Sequence, residues 1–386
     1  MLVAVHAAQL AVATVVLAHG TWWTLLSVGA LPRPRPRNNR ARPPLSIVVI
    51  VPAHNEERLI ASTLESLLEA THLYSGEIVV VGDNCTDQTA AIANRLGVTV
   101  IERHDASRRG KPFALAFALD YLERRSSPPD IVAVVDADTN VSPNFLEKVA
   151  ERIAGGASAV QVHYAAGPAE TDLGRLRRLA FLLVHWSRPL GASRLGIGTS
   201  LKGNGMAFSW PAARLGLSGT GITEDAESTL ELARHGIAVR FEPGAVVHGY
   251  MAQTYREAGV QDERWEGGRT RLTLRAFRTA ATNVRRGQIK TALSTLEVAS
   301  LPLSLLGIGA GLSVVLGLAG FGSTTLAFAG LASLLTYVAA GLAAARAPLE
   351  DVRALVTAPR FLAHKARVYA TVLVSRTTSW DRTQRR

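Results

Sequence analysis

The chain has 386 residues, of which 48% are hydrophobic, and its formal net charge is +11. This length fits one large domain or two medium ones, and a mean hydropathy of +0.16 is high for a purely soluble protein. The basic balance admits nucleic acid, an anionic lipid surface or an anionic substrate as a partner, but no nucleic-acid-binding motif is present. The single cysteine, Cys85, excludes an intramolecular disulfide and a cysteine zinc cluster, so we interpret it as a structural residue.

The N-terminal segment is apolar. Residues 1–31 contain no Lys, Arg, Asp or Glu, and this run exceeds the ~20 residues that span a bilayer. A signal peptide is the competing interpretation, but the positively charged n-region is missing. Trp22 and Trp23 suit an interfacial belt. The Pro- and Arg-rich residues 32–44 predict a semi-extended basic linker, which the positive-inside rule places in the cytoplasm.

The central part of the chain alternates apolar β-branched runs with helical patterns. The predicted strands are residues 45–51, 77–81, 98–101 and 131–135, and the predicted helices between them are 58–70, 89–96 and 111–124. This alternation predicts an α/β domain over residues 45–270, with a mostly parallel sheet flanked by helices. In such sheets a ligand binds beyond the carboxyl ends of the strands.

Two further uncharged apolar runs, about 298–321 and 324–345, predict a transmembrane helical hairpin over residues 298–345. Buried helices of a soluble protein are the alternative. We expect residues 271–297 to form an amphipathic interfacial connection and the basic residues 346–386 to form a cytoplasmic interfacial tail. Because Arg residues bracket the central domain, we expect a multi-pass protein of the inner or plasma membrane with this central domain in the cytoplasm.

Asp136 and Asp138 directly follow the last predicted strand. Carboxylates two residues apart in a turning backbone can converge on one ligand group, and hard oxygen ligands suit Mg²⁺ or Mn²⁺ bound to phosphate oxygens. The pattern is common by chance, but a strand end is where such a site is expected. His248 is a further candidate metal ligand, for which a hydrogen-bonded loop histidine is the simpler interpretation.

Other polar residues follow strand ends or begin helices. Asp83 follows the strand 77–81 and is not needed as a helix cap, so we interpret it as a nucleobase contact. Arg109 and Lys111 lie at a helix start, where cations and backbone N–H groups together form an anion site. A solvated basic loop is the alternative interpretation.

Two motifs lie further along the chain. Glu224 and Asp225 begin a predicted helix, as caps or as functional groups. Gln261, Arg264 and Trp265 combine an amide, a cation that can hold a diphosphate and an aromatic ring that can stack on a sugar. A helix with one buried Trp is the alternative interpretation of this second motif.

In one order along the chain, these motifs resemble glycosyltransferase family 2, with its GT-A nucleotide-sugar fold. The similarity is to the membrane branch that contains cellulose, chitin-oligosaccharide and hyaluronan synthases, and it extends over about residues 45–269. The residues that carry it are Pro52-Ala-His-Asn-Glu56, Asp83, Arg109-Gly-Lys111, Asp136-Ala-Asp138, Thr223-Glu-Asp225 and Gln261-x-x-Arg264-Trp265.

The resemblance implies a role for each matching position. Asp225 would be the general base of an inverting transfer, and Asp138, with Asp136, would hold the metal. The donor, with a UDP-sugar favoured, would be bound by Pro52, Asn55, Glu56, Asp83, Lys111, Asp136 and Asp138. The diphosphate and the acceptor would be contacted by Glu224, Gln261, Arg264, Trp265 and the looser match Gly203, Asn204 and Gly205. Asn204 differs from the Cys or Ser of some synthases, which leaves the acceptor open.

The implied function is transfer of a sugar to a lipid or saccharide hydroxyl at the cytoplasmic membrane face. A processive polysaccharide synthase and a non-catalytic membrane scaffold that binds nucleotide or carbohydrate are the alternatives. A dinucleotide-binding oxidoreductase is disfavoured, because no Gly-x-Gly-x-x-Gly follows the first strand.

Overall fold

The computed structural model describes residues 1–31, 45–217, 223–250, 254, 255, 258, 259, 262 and 272–374, the last three without their side chains. At the centre of the fold lies an eight-stranded mixed sheet with the order β3-β2-β1-β4-β7-β6-β8-β5. Its strands are β1 (Ile47–Ala53), β2 (Glu77–Asp83), β3 (Thr99–Arg103), β4 (Ile131–Val134), β5 (Thr139–Val141), β6 (Ala159–Ala166), β7 (Met206–Ser209) and β8 (Arg240–Gly249).

The four strands predicted from apolar runs form one half of the sheet. All their pairings, β2 with β3, β1 with β2 and β1 with β4, are parallel, which confirms the predicted α/β class. The other half was not predicted as strands. There β7 lies antiparallel to β4 and β6, β5 lies antiparallel to β8, and β6 pairs parallel with β8. These strands interrupt the apolar pattern, since β8 contains Pro243 and Gly244 and the β6–β8 register shifts at Val162/His163.

Helices cover both faces of the sheet. In β1, Val49 and Val51 pack with the helices over residues 60–73 and 145–154 on one face, whereas Val48 and Ile50 pack with the helix over residues 111–123 on the other. A strand buried on both faces is a near-continuous apolar run, as found here. The helices up to the last strand are α1 (Leu2–Gly29), α2 (Ile60–Leu73), α3 (Thr89–Arg95), α4 (Lys111–Glu123), α5 (Phe145–Ala154), α6 (Asp172–Leu182), α7 (Arg188–Arg194), α8 (Trp210–Gly216) and α9 (Glu224–Arg234), with a π-helix at Leu183–Ser187.

The C-terminal part of the described chain is helical. It contains α10 (Thr273–Arg285), α11 (Ile289–Leu296), α12 (Leu303–Leu318), α13 (Thr324–Ala345), α14 (Leu349–Arg353), a 3₁₀ turn at Ala354–Thr357 and α15 (Ala358–Val374). Arg178 of α6 donates from Nε to Asp351 Oδ2 over 2.7 Å. This contact holds α14 against α6.

Two helices, α1 and α13, are long and apolar enough to cross a membrane on length and composition alone. They cross closely, because a Cβ on Gly20 would lie only 2.1 Å from Ser333 Oγ, and small residues allow such contacts between apolar helices. The predicted run 298–321 contains the shorter helix α12, which starts after Pro302 and has 16 residues. At ~1.5 Å per residue it is shorter than the ~30 Å hydrocarbon core of a bilayer.

A buried amide joins α1 to the α12–α13 turn. Gln9 donates to the carbonyl oxygens of Ser313 and Ser323, both over 3.2 Å, and accepts from the Ser323 N–H over 3.0 Å. Because buried polar groups require partners, these bonds fix how the apolar helices pack on one another.

Candidate active site

Lys111 is the point at which three separate segments meet. Its Nζ lies 2.5 Å from Asp136 Oδ1 and 3.6 Å from Glu224 Oε1, and it donates to the carbonyl oxygen of Gly203. Burial opposes the charge on Lys111, but Asp136, Glu224 and Asp225 outweigh it and raise the pKa of the ammonium. The structure thus brings three predicted segments together around one cation: the Asp-x-Asp motif, the Glu-Asp motif and residues 203–205, which we call the glycine loop.

The turn before α4 sets the position of Lys111. Gly110 precedes the helix with φ of 118°, a conformation that favours glycine, and its N–H donates to Asp83 Oδ2 over 3.3 Å. Asp83 is 3% exposed, and Arg103 Nη1 lies 2.6 Å from its Oδ1. Asp83 therefore holds the turn that presents Lys111, and its contact with a nucleobase stays a prediction. Arg103 has no counterpart in the sequence motifs.

A cavity of about 340 Å³ lies at the carboxyl ends of β1 and β2, a volume typical of small-ligand pockets. Asn55 and Asn84 take left-handed conformations there, with φ of 56° and 54°. Asn55 Oδ1 accepts from the Thr86 N–H over 2.7 Å, and Asn84 Oδ1 accepts from the Asp105 N–H over 2.8 Å. The pocket is lined by His54, Asn55, Asn84, Cys85, Thr86, His104 and Arg109.

Two other predicted donor residues lie within two positions of the lining residues His54 and Asn55 in the chain. Pro52 is half-buried within β1, and the Glu56 N–H donates to Thr89 Oγ1 over 2.7 Å. Cys85 donates to the carbonyl oxygen of Ala53, and burial raises the pKa of its thiol, in keeping with a structural role.

Asn204 contacts the Asp-x-Asp loop through its side-chain amide. Its buried amide accepts from the Asp136 N–H over 3.1 Å and donates to Thr139 Oγ1 over 2.7 Å, so it contacts the loop on both sides of Asp138. Gly203 and Gly205 flank it with φ of 81° and 64°. The predicted acceptor contact of Asn204 stays a prediction, since the structure engages its side chain within the protein.

The glycine loop is fixed by a residue that no motif indicated. Gln161, buried in β6, accepts from the Lys202 N–H and donates to the carbonyl oxygen of Asn204, both over 2.7 Å. A lone Gln in an apolar stretch carries no sequence signal, and only the pairing of β6 with β7 brings it to the loop.

Asp225 faces the glycine loop from the start of α9. It is half-buried, its Oδ1 accepts from the Ala226 N–H over 2.8 Å, and a Cβ on Gly203 would lie 3.8 Å from its Oδ2. At the adjacent Glu224, burial and the charge of Asp225 outweigh the opposing effect of Lys111 and raise the pKa to about 7. Both carboxylates lie in the first turn, where the helix dipole favours negative charge.

The carboxylates after β4 fit a divalent cation. Among the described residues no group of three or more His, Cys, Asp or Glu side chains could hold a metal. Mg²⁺, however, is usually held by one or two carboxylates together with substrate phosphates and water, and Asp136 and Asp138 provide such a pair. His248 lies on β8 opposite Asn140, and burial lowers the pKa of its ring. It stays a candidate.

Gln261, Arg264 and Trp265 lie outside the described residues. Within the same motif, Asp262 is described and buried. It accepts from Arg177 Nη1 over 2.9 Å, and Lys365 Nζ of α15 lies 3.3 Å from its Oδ2. These two cations fix that point of the chain between α6 and the C-terminal helix.

Glu297, which precedes α12, connects the glycine loop to the apolar helices. It accepts from Lys202 Nζ and from the Ser200 N–H, both over 2.8 Å. Burial opposes its charge, but Lys202 and Arg188 outweigh this and lower the pKa of Glu297 to about 2. The residue next to Gly203 is thereby tied to the point where the chain enters the apolar helices.

We expect Glu297→Gln to lower the free energy of unfolding by about 3–5 kcal/mol, because it leaves the buried Lys202 without its counter-charge. Thermal unfolding of the purified chain in detergent measures this loss. Glu350→Gln is the matched control, since Glu350 is 67% exposed and lies 3.5 Å from Arg178; its effect should stay below about 1 kcal/mol. Equal melting temperatures of Glu297→Gln and wild type would refute the stabilising role of the Glu297–Lys202 ion pair.

Comparison with solved structures identifies the class of fold. The chain resembles a mannosyltransferase from Pyrobaculum calidifontis, solved in complex with GDP-Man and Mn²⁺, at a TM-score of 0.52 and 21% identity. The match covers 86% of this chain and 99% of that structure. The mixed sheet with carboxylates at strand ends is thus a GT-A glycosyltransferase fold.

The family follows from the sequence match. The profile described as "Glycosyltransferase like family 2" matches residues 43–268, more than half of the chain. The chain therefore belongs to glycosyltransferase family 2, which confirms the predicted family and enzyme class.

Curated relatives are similar over part of their length. The probable glycosyltransferase YdaM of Bacillus subtilis is 26% identical, over 63% of this chain and 59% of the relative. The beta-monoglucosyldiacylglycerol synthase of a Synechocystis strain is 30% identical, over 58% of this chain and 47% of the relative. The matched region thus spans about half to three fifths of these relatives.

Proposed function

We propose that this glycosyltransferase moves a sugar, with inversion, from a nucleotide-diphosphate sugar to the hydroxyl group of a membrane-borne acceptor. The observation that carries the proposal is the convergence on Lys111 of Asp136, Glu224 and the Gly203 carbonyl, next to the pocket at the ends of β1 and β2. A base and ribose in that pocket would direct a diphosphate towards this cation. A UDP-sugar is the favoured donor.

Asp225 serves as the general base in this proposal. Its carboxylate faces the glycine loop, where an acceptor hydroxyl would approach. As the acceptor oxygen attacks the anomeric carbon, Asp225 takes the hydroxyl proton, and the bond between the sugar and the diphosphate oxygen breaks. Lys111, together with Arg264, stabilises the charge that develops on the departing diphosphate. By the family resemblance, Gln261 and Trp265 would contact the acceptor end.

A divalent cation, Mg²⁺ or Mn²⁺, would be held by Asp138 and Asp136 and, when bound, would neutralise charge on the diphosphate. Asn204 supports this position, because its amide accepts from the Asp136 N–H and donates to the Thr139 hydroxyl, on the two sides of Asp138. Such hydrogen bonds keep carboxylate ligands in one orientation.

An aromatic wall beside the carboxylates supports an acceptor with apolar character. Tyr164 of β6 lies with its ring centroid 5.3 Å from those of Phe181 and His185. A Cβ on Gly249 would lie 2.6 Å from the Tyr164 ring, and Gly249 pairs with Thr139, which follows Asp138. The aromatic wall formed by Tyr164, Phe181 and His185 is therefore adjacent to Thr139, at the end of the Asp-x-Asp loop.

The same wall continues to the apolar helices. It includes the π-helix Leu183–Ser187, an irregularity that is frequent at functional sites. A Cβ on Gly341 of α13 would lie 2.3 Å from Leu183 Cδ2, so this element packs directly on a helix long enough to cross a membrane. A lipid acceptor would reach the carboxylates along this path, and the name of the similar diacylglycerol synthase agrees with such an acceptor.

In the proposed membrane arrangement the catalytic domain, residues 45–270, lies on the cytoplasmic side of the inner or plasma membrane. Residues 1–31 would span the membrane, 32–44 would link, 271–297 would lie at the interface, 298–345 would form the hairpin and 346–386 would form the basic tail. The support is the apolar character of α1 and α13 and the Arg residues on both sides of the domain.

The test uses the purified chain in nanodiscs with UDP- and GDP-sugars, Mg²⁺ or Mn²⁺, and either a membrane lipid extract or soluble oligosaccharides. Release of nucleoside diphosphate and mass spectrometry of the products are followed. We expect a metal-dependent glycolipid from one donor. Sugar added only to oligosaccharides, in long chains, would indicate a processive synthase instead, and donor binding without any product would indicate a scaffold.

A further inference from the structure

A second pocket, of about 680 Å³, lies away from the residues around Lys111, between the C-terminal end of α9 and helices α10 and α11. Six of its lining residues carry a guanidinium, imidazole or amide group: Arg234, His235, Arg278, Asn283, Arg286 and Gln288. No carboxylate belongs to the described lining, so the pocket is basic and polar.

The cations of this basic pocket are only partly neutralised. Glu231 lies 3.1 Å from Arg234 Nη1 and 3.6 Å from His235 Nδ1. Arg286 Nη1 donates to the carbonyl oxygen of Arg234 over 2.9 Å. Within the described part of the chain, no carboxylate forms an ion pair with Arg278 or Arg286. Two guanidinium groups with free donors therefore face the same space.

A buried, unpaired amide belongs to the same lining. Asn283 is 0% exposed, and neither its Oδ1 nor its Nδ2 has a hydrogen-bond partner among the described residues. The Oε1 atom of Gln288 is buried and unpaired in the same way. Because buried polar groups in native proteins almost always have partners, the unpaired Asn283 Nδ2 donor points to an acceptor group in the pocket. An anion oxygen would accept from Asn283 Nδ2.

The surface beside the basic pocket is apolar. Leu274, Phe277 and Val284 of α10 are exposed, Phe277 by 53%. At spacings of three and seven residues they share one face of the helix, next to the face that carries Arg278. Exposed apolar side chains beside cations on one helix are typical of helices that lie in a lipid interface.

We infer that the basic pocket binds the phosphate group of an anionic phospholipid. Arg278 and Arg286 pair with the phosphate oxygens, Asn283 donates to one of them, and the acyl chains lie along the apolar face of α10. Arg is suited to this contact, because its fork of N–H donors matches phosphate geometry. The binding site is separate from the donor site and does not depend on which acceptor is used.

Isothermal titration of the full chain in detergent tests this inference, with three probes: short-chain phosphatidic acid, short-chain phosphatidylcholine and inorganic phosphate. We compare wild type with Arg278→Gln/Arg286→Gln, and use Arg275→Gln/Arg285→Gln as a control of equal charge. Arg275 and Arg285 lie on α10 outside the pocket lining. The single variant Arg278→Gln is added because Arg286 also bonds to a carbonyl oxygen.

We expect phosphatidic acid to bind wild type and the control alike, and to lose about tenfold in affinity for each guanidinium removed from the pocket. Phosphatidylcholine should bind far more weakly. If inorganic phosphate binds as tightly as phosphatidic acid and with the same dependence on Arg278, the pocket recognises a soluble anion and the lipid assignment is wrong. The inference is overturned if no probe binds, or if the control variant loses as much affinity as the pocket variant.

Discussion

Replacing Asp225 with Asn is expected to reduce sugar transfer by about 10²–10⁴-fold, the usual contribution of a general base. The carboxamide keeps the shape of the side chain but cannot accept the acceptor's proton. Donor binding should stay within about threefold of wild type, since the proton is taken only in the transition state. Nucleoside diphosphate release and titration with the intact donor measure the two effects separately.

Glu227→Gln is the matched control for this substitution, because Glu227 is a half-buried carboxylate in the same first turn of α9. It should retain most of the transfer activity. If Asp225→Asn loses donor affinity as strongly as it loses rate, the residue holds the donor and is not the base. If the variant keeps its full rate, another group accepts the proton.

Replacing Asp138 with Asn should weaken donor binding by at least about tenfold in the presence of Mg²⁺ or Mn²⁺. The substitution removes one of the two carboxylates that fit the cation, so the diphosphate loses the charge that holds it there. With a chelator present, wild type should fall to the affinity of the variant. The variant itself should hardly respond to the chelator.

Asp120→Asn provides the control for the change in charge, because Asp120 is exposed on α4. Its donor affinity and its response to chelator should match those of wild type. A wild-type affinity that does not change when chelator is added would refute the metal assignment. If the Asp138→Asn variant keeps the full metal response, residues other than Asp138 hold the metal.

The sequence by itself determined the first half of the sheet. Strands β1 to β4 are short runs separated by helical patterns, and burial of β1, β2 and β4 on both faces makes their apolar character visible without any partner. The order of the motifs along the chain likewise indicated the family. The roles predicted for Gln261, Arg264 and Trp265 are still predictions, since these residues lie outside the described part of the chain.

Only the tertiary structure decided how the site is held together. Lys111 contacts residues 25, 92 and 113 positions away in the chain, and neither periodicity nor local spacing specifies contacts of that range. Buried hydrogen bonds and ion pairs of Gln161, Asn204 and Glu297 hold the site together, and such individual contacts leave no repeating pattern in the sequence. Such contacts depend on how β6, β7 and the segment before α12 pack, and packing is a property of the whole chain rather than of any local segment.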